Sequence, residues 1–427
     1  MSKTTAANPQ GVLVTPLKIA SELSLYGFGG GGLQPYALNL VYRVFTVIKP
    51  STYALQDIAV VSPQDDLFCF TNFSQHPGIL HSTLFAAQAF QDVALGQPYS
   101  TTAQLHLAKA LSHLQRSLDD QKEAVELSTM AVVASLAMAA VIAGDLSTAA
   151  KHMDGLHRII ELRGGLQSLG PDSMIEHKAR AIDIGLAMAH GTPLRFADAD
   201  TTIAWSPQLA PASRSASRSF PELAAAARPP RSRPDPRLLN VWADLREFAR
   251  RVNDAGAGGR GEKVPGPVAA RLTTSVPVRL LRLRRPLPLP LPCNNGGGGG
   301  NGGDGGGDEA GAVLHEMLRL SMLAFAKMLL IKLRGFGRKM TDLAEGLKAA
   351  LLAWEAETRR EEAHDDTRRG LLELLLWGLL VAGVSIFEDA DDEWLGEMLL
   401  RAVSALIADV GRSEGCAQGV FVDRCFV

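Results

Sequence analysis

The residues best suited to do chemistry lie in 144–170, "GDLSTAAKHMDGLHRIIELRGGLQSLG", where His152, His157, Glu161 and Arg163 share one predicted helix. A zinc site would need imidazoles or carboxylates converging on one helix face, which i,i+4 spacing supplies. His152 and His157 are five residues apart and diverge by about 140° on a helix of 3.6 residues per turn. His157 and Glu161 have the right spacing but no third ligand beside them, so they read as a surface pair or a satisfied interior histidine. "GFGGGG" at 27–32 satisfies G-x-G-x-x-G, yet that pattern holds a pyrophosphate only between a strand and a helix of a βαβ unit. Here it follows from glycine content alone. "GRSEG" at 411–415 satisfies the nucleophile-elbow pattern, but the last histidine is His364, so Ser413 has no general base later in the chain. The sequence therefore predicts no catalytic residue, no cofactor and no metal site, and the chain reads as non-enzymatic.

What positions these residues is helical. In 103–118 the residues Leu107, Ala110, Leu111, Leu114 and Leu118 recur at three- and four-residue intervals and predict one apolar stripe. A second helix is predicted from Gln121 to Ala143, apolar on most sides, and Gly144 ends it in the left-handed conformation. Asp145 caps the next helix, whose Leu146, Ala149, Ala150, Met153, Leu156 and Ile160 face inward, and Gly164 with Gly165 stops it. So short a turn folds the two helices into an antiparallel hairpin. Further helices are predicted at 174–190, 237–252, 312–334, 340–363, 369–387 and 391–410. With no run of alternating strands, the predicted fold is all-α: antiparallel helix hairpins packed as a bundle or short solenoid. The apolar segments 127–143 and 371–387 fall short of the ~20 residues of a membrane span and read as core helices.

Composition bounds the rest. The 427 residues are 46% hydrophobic, enough for a sizeable core, and a net charge of −2 gives no global attraction to nucleic acid or anionic lipid. Four scattered cysteines, Cys69, Cys293, Cys416 and Cys425, favour a reducing compartment, and the start of the chain has no secretory pattern. Residues 1–35 are expected to be a flexible segment, 36–196 the N-terminal part of a helical domain, and 312–410 its C-terminal part, followed by a tail at 411–427. Between the two parts, 197–236 and 253–311 are rich in Ala, Ser, Pro, Arg and Gly and are predicted to be disordered linkers flanking an isolated helix at 237–252. Residues 228–285 hold fourteen Lys/Arg against five Asp/Glu, a basic tract read as a solvated linker, with phosphate contact or an import signal as the alternative.

"AQLHLAKALSHLQRSL" with "STMAVVASLAMAAVIAGDLSTAAKHMDGLHRIIELRGGLQSLG" resembles the helical regulatory region of fungal-specific transcription factors. The positions that carry the resemblance are His106, Lys109 and Leu111, then Gly144, Asp145, Ala150, His152, Gly155, Leu156, and the run Leu162, Arg163, Gly164, Gly165, Leu166. "HPGILHSTLFAAQAF" (76–90) and "AIDIGLAMAHGTPLRF" (181–196) are similar to the helices before and after, and 312–410 is similar to the late tryptophan-containing helices. The resemblance implies a transcription regulator, nuclear or nucleocytoplasmic, acting through protein partners (transcription machinery or a DNA-binding factor) or a small effector between helices. Gly155 within its helix is expected to mark a close helix approach, and Arg163 to complement the helix dipole. The zinc cluster of that family needs six closely spaced cysteines, which these residues do not provide. Direct DNA binding and membrane association are therefore not expected, and a helical adaptor with no transcriptional role is the alternative.

Overall fold

The computed structural model describes residues 34–49, 59–60, 75–170, 173–196, 209, 234–256, 264–284, 306–332, 340–360, 365–387 and 392–410. Twelve α-helices run through them: α1 (Pro35–Arg43), α2 (Pro77–Ala94), α3 (Thr101–Asp119), α4 (Leu127–Ala143), α5 (Leu146–Arg163), α6 (Met174–His190), α7 (Pro236–Gly256), α8 (Gly266–Arg282), α9 (Gly306–Leu330), α10 (Thr341–Arg360), α11 (Asp365–Ser385) and α12 (Glu393–Val410). The fold is all-α, with one exception: Ala59–Val60 (β1) pairs in parallel with Val264–Pro265 (β2). GFGGGG, GRSEG and the four cysteines lie outside the described residues.

The helices pack as hairpins: α2 on α3, α4 on α5, α9 on α10, and α11 on α12. Helix α4 forms the centre of the first group, with every position from Thr129 to Val141 buried, as expected of a helix apolar all round. Helix α6 joins the two groups, touching α4 and α5 on one side and α8 and α10 on the other. One contiguous apolar core consequently runs from Ala37 in α1 to Ala402 in α12.

Several predicted details are corrected. Helix α4 begins at Leu127 rather than Gln121, because Asp120 Oδ1 accepts from Lys122 N and Glu123 N and folds 120–125 into a turn. Helix α3 presents Ala103, His106 and Ala110 inward, while Leu111 and Leu118 are exposed. Helix α2 comes close to α4 at a glycine: a Cβ on Gly78 of α2 would stand 3.1 Å from Val132 Cγ2. The 237–252 helix is not isolated; α7 buries Leu238, Val241, Trp242, Leu245 and Phe248, and Trp242 meets Trp377 of α11 edge-on at 4.8 Å.

The largest correction concerns 253–311, where a linker is predicted and residues 266–282 form helix α8. Gly266 and Pro267 sit at its start, where a missing N–H costs nothing, and Ala269, Leu272, Val276, Val278 and Leu280 are buried. Averaging glycine and proline over 253–311 concealed this amphipathic segment. Of 197–236, only Leu209 and residues 234–236 are described, and Leu209 is buried with its N–H donating to Asp244 Oδ1 at 2.9 Å.

Candidate functional site

Five of the hairpin residues singled out by the sequence, Gly144, Asp145, Arg163, Gly164 and Gly165, sit at helix ends, and His152, Gly155 and Leu156 lie within α5. Gly144 closes α4 at φ 78°, and the Asp145 carboxylate accepts from Thr148 N at 2.9 Å; hydrogen bonds from Thr148, its side chain first and then its backbone N–H, hold the Asp145 pKa below the ordinary range. Gly164 and Gly165 adopt φ 113° and 84°, and the Gly165 N–H returns to Ile160 O at 2.9 Å, a left-handed closure. Arg163 does more than face the helix dipole: its Nη1 donates to Val125 O at 2.6 Å and so ties the end of α5 to the turn that precedes α4. Leu156 is buried in the hairpin. Gly155 is exposed, and a Cβ there would meet nothing within 4 Å, so the close approach expected at this glycine is absent.

The polar side chains of the opening stretch stay apart. His152 is half-buried and its pKa is lowered by desolvation, while His157 packs its ring on Phe196 at 5.3 Å. Among the described residues, no three His, Cys, Asp or Glu side chains stand close enough to hold a metal ion.

Structure gathers other titratable groups that the sequence reading did not connect. His81 of α2 lies between His106 and His113 of α3, with ring centroids at 5.2 and 5.8 Å, and the Nδ1 atoms of His81 and His106 are 3.1 Å apart. That bond needs one protonated and one bare nitrogen, so the pair cannot carry two charges. Desolvation first, and then His106, Lys109 and His113, lower the His81 pKa to about 4. The Tyr36 hydroxyl of α1 meets His106 Nε2 at 3.3 Å. Asp183, a carboxylate in the otherwise apolar run AIDIGLAMA, is buried and accepts from the N–H groups of Arg195 and Phe196 at 2.7 and 3.1 Å. Burial raises its pKa against those hydrogen bonds. Arg195 also reaches Asp154 of α5 at 2.7 Å, so this carboxylate clamps the segment after α6 against the hairpin. A lone aspartate in an apolar run was the available signal.

A cavity of about 250 Å³ opens where the two helix groups meet. Gly191 and Leu194 line it from the N-terminal group, and Leu281, Arg284, Leu323 and Asp342 from the C-terminal group. Arg284 Nη2 faces Asp342 Oδ1 at 3.4 Å, and Thr341 Oγ1 donates to Ala189 O at 3.0 Å across the junction. Its lining offers arginines, one carboxylate, Thr192 and apolar walls.

Several of the described arginines of the basic tract are paired within the fold. Arg279 and Asp244 form a fully buried ion pair at 2.7 Å, Arg250 and Arg251 hold Glu247, and Arg237 holds Asp235. The arginines lower the Glu247 pKa to about 2. An import signal read through 279–285 would have to include a guanidinium that is entirely inside.

A hairpin closed by Gly144 and Asp145, stopped by a double glycine and centred on a wholly buried helix matches a known domain. Residues 59–184 match the fungal-specific transcription factor domain. The matched span runs from β1 into α6, so it covers the hairpin, the histidine cluster and Asp183, while α7 to α12 lie outside it. This is a domain of transcription regulators and not an enzyme family, and the match supports a transcription-regulator-like role. No curated protein and no solved structure matches the chain. No described helix is long and apolar enough to cross a membrane.

Proposed function

We propose that the chain regulates transcription in the nucleus by binding protein partners or a small effector between its helices, and that a DNA-binding partner supplies the contact to DNA. The observation that carries this reading is the match of 59–184 to a transcription-factor domain in a chain whose four cysteines are too few for a six-cysteine zinc cluster. The pairing of Arg237, Arg250, Arg251 and Arg279 with carboxylates supports it, because guanidiniums already neutralised have little to offer phosphate. The hairpin residues Gly144, Asp145, His152, Gly155, Leu156, Arg163, Gly164 and Gly165 then serve as scaffold.

Fusing the full chain to a heterologous DNA-binding module in a fungal host tests the proposal. A reporter bearing the module's site should change its output on expression of the fusion, and the tagged chain should accumulate in the nucleus. The purified chain should show no duplex binding across a salt series. A nuclear, well-expressed fusion that leaves the reporter unchanged would instead favour a helical adaptor without a transcriptional role.

A further inference from the structure

Helix α12 carries two apolar stripes, and the fold of one chain covers only one of them. Leu395, Met398, Ala402 and Leu406 are buried, with α12 packed on α11. Gly396, Leu400, Val403 and Ile407, at intervals of four, three and four residues, are exposed. That alternation is the seam of a coiled coil, the spacing at which one helix presents knobs and holes to another along its length. Leu380 and Val384 of α11 are exposed as well, and they flank Gly383, where a Cβ would stand 3.5 Å from Leu395 Cδ2. The exposed end of α11 therefore borders the Gly396 end of the seam.

No charge interrupts it. Between Gly396 and Ile407 the charged residues are Glu397 and Arg401, and Arg401 reaches Glu355 of α10 at 2.9 Å and Glu397 at 3.3 Å, which holds these charges on the flank toward α10. The five aliphatic side chains of the face, Leu380, Val384, Leu400, Val403 and Ile407, are 40 to 71% exposed. Together they present on the order of 400 Å² of apolar surface, near the upper end of what a monomer leaves in water. An interface of standard size buries about 800 Å² on each partner, a little over half of it apolar. The face supplies about that much.

We propose that this face is the interface of a homodimer, in which α12 of a second copy of the chain lies antiparallel to the first across a twofold axis. The seam is a palindrome: Gly396 with Ile407 and Leu400 with Val403 are centred on one point, midway between Arg401 and Ala402. Reversing one helix on the other sets Ile407 of each copy over Gly396 of the other, and Leu400 against Val403, so that each bulky knob meets a hole. Gly396 provides that hole, since a Cβ there would meet nothing within 4 Å in a single chain. A parallel pair would instead set Gly396 against Gly396 and leave a void. An unrelated helix would have to reproduce the same alternation, whereas a second copy matches it by symmetry. The contact lies outside 59–184 and stands independently of the transcriptional reading.

Sedimentation of the full chain across roughly 1–100 µM tests this, and a monomer–dimer equilibrium should appear. Leu400→Glu and Val403→Lys change exposed positions, should leave the circular dichroism unaltered, and should each weaken the dimer about a hundredfold by placing a charge in the seam. An equal mixture of the two variants should dimerise again, because in the mixed pair the two introduced charges face one another. Gly396→Leu suits a helix better than glycine and should raise the thermal midpoint of the monomer, yet it fills the hole and should weaken association about tenfold. A chain monomeric throughout that range, a dimer untouched by both charged variants, or a mixture that stays monomeric would each overturn the assignment.

Discussion

Removing the Asp244 carboxylate tests the finding that α8 belongs to the fold. Asp244 Oδ2 accepts from Arg279 Nη2 at 2.7 Å, and Oδ1 accepts from Leu209 N at 2.9 Å. Both charged side chains are completely excluded from solvent. In Asp244→Ala the Arg279 guanidinium loses its buried counter-charge, and breaking such a pair from one side costs roughly 3–5 kcal/mol. The Leu209 N–H is orphaned as well, which adds to the cost in the same direction. Against a total stability of about 5–15 kcal/mol this is a large fraction. At roughly 2–4 °C per kcal/mol for domains of 150–250 residues, the midpoint of thermal unfolding should fall by ~6 °C or more. Scanning calorimetry measures that shift, and hydrogen exchange should report faster opening of α8. Replacing both partners, Asp244→Leu with Arg279→Met, exchanges the pair for apolar groups and should restore most of the loss. A midpoint lowered by less than ~2 °C with α8 exchange unchanged would refute the docking of α8 through this pair.

Two glycines give opposite expectations. Gly155→Ala introduces a Cβ into open space on a helix and should stabilise by about 1 kcal/mol in urea titrations. In Gly378→Ala the new Cβ would stand 3.0 Å from Leu351 Cδ2 and 3.1 Å from Ser321 Oγ. That variant should destabilise by roughly 1–3 kcal/mol. The histidine cluster predicts a pH dependence. The His81 pKa is lowered from 6.5 to about 4 in the folded chain, so the folded state binds fewer protons than the unfolded one between those values. Its contribution is complete above pH 6.5 and is lost as the pH falls toward 4; His106 and His113 shift in the same direction. The thermal midpoint should therefore decline over that window, and more shallowly in His81→Gln; a midpoint that rises on acidification contradicts the assignment.

What could be read in the sequence was what local chemistry decides. The α4–α5 hairpin was legible because its signals are adjacent: thirteen consecutive buried positions in α4, a left-handed Gly144, a capping Asp145 and a double-glycine stop. The helices expected at 174–190, 340–363, 369–387 and 391–410 followed from periodicity in the same way and stand at Met174–His190, Thr341–Arg360, Asp365–Ser385 and Glu393–Val410. The inward face of α3 was misread because Leu111 and Leu118 fit a stripe equally well, and only contact with α2 selects Ala103, His106 and Ala110.

The candidate sites were barely legible. Gly396, Leu400, Val403 and Ile407 form a stripe beside that of Leu395, Met398, Ala402 and Leu406, and nothing local to α12 says which of the two stays in solvent. The same holds for His81, His106 and His113, and for the arginines of the basic tract. By itself the sequence determined where helices start, stop and turn back, since caps and glycine stops act within about one turn of the chain. Tertiary structure alone decided which charges are neutralised and which helices are buried. Asp244 and Arg279 lie 35 positions apart, and whether they meet depends on α7 and α8 being packed together. An ionic residue in a proline-rich tract looks solvated until its counter-charge is brought to it, and only the folded chain does that.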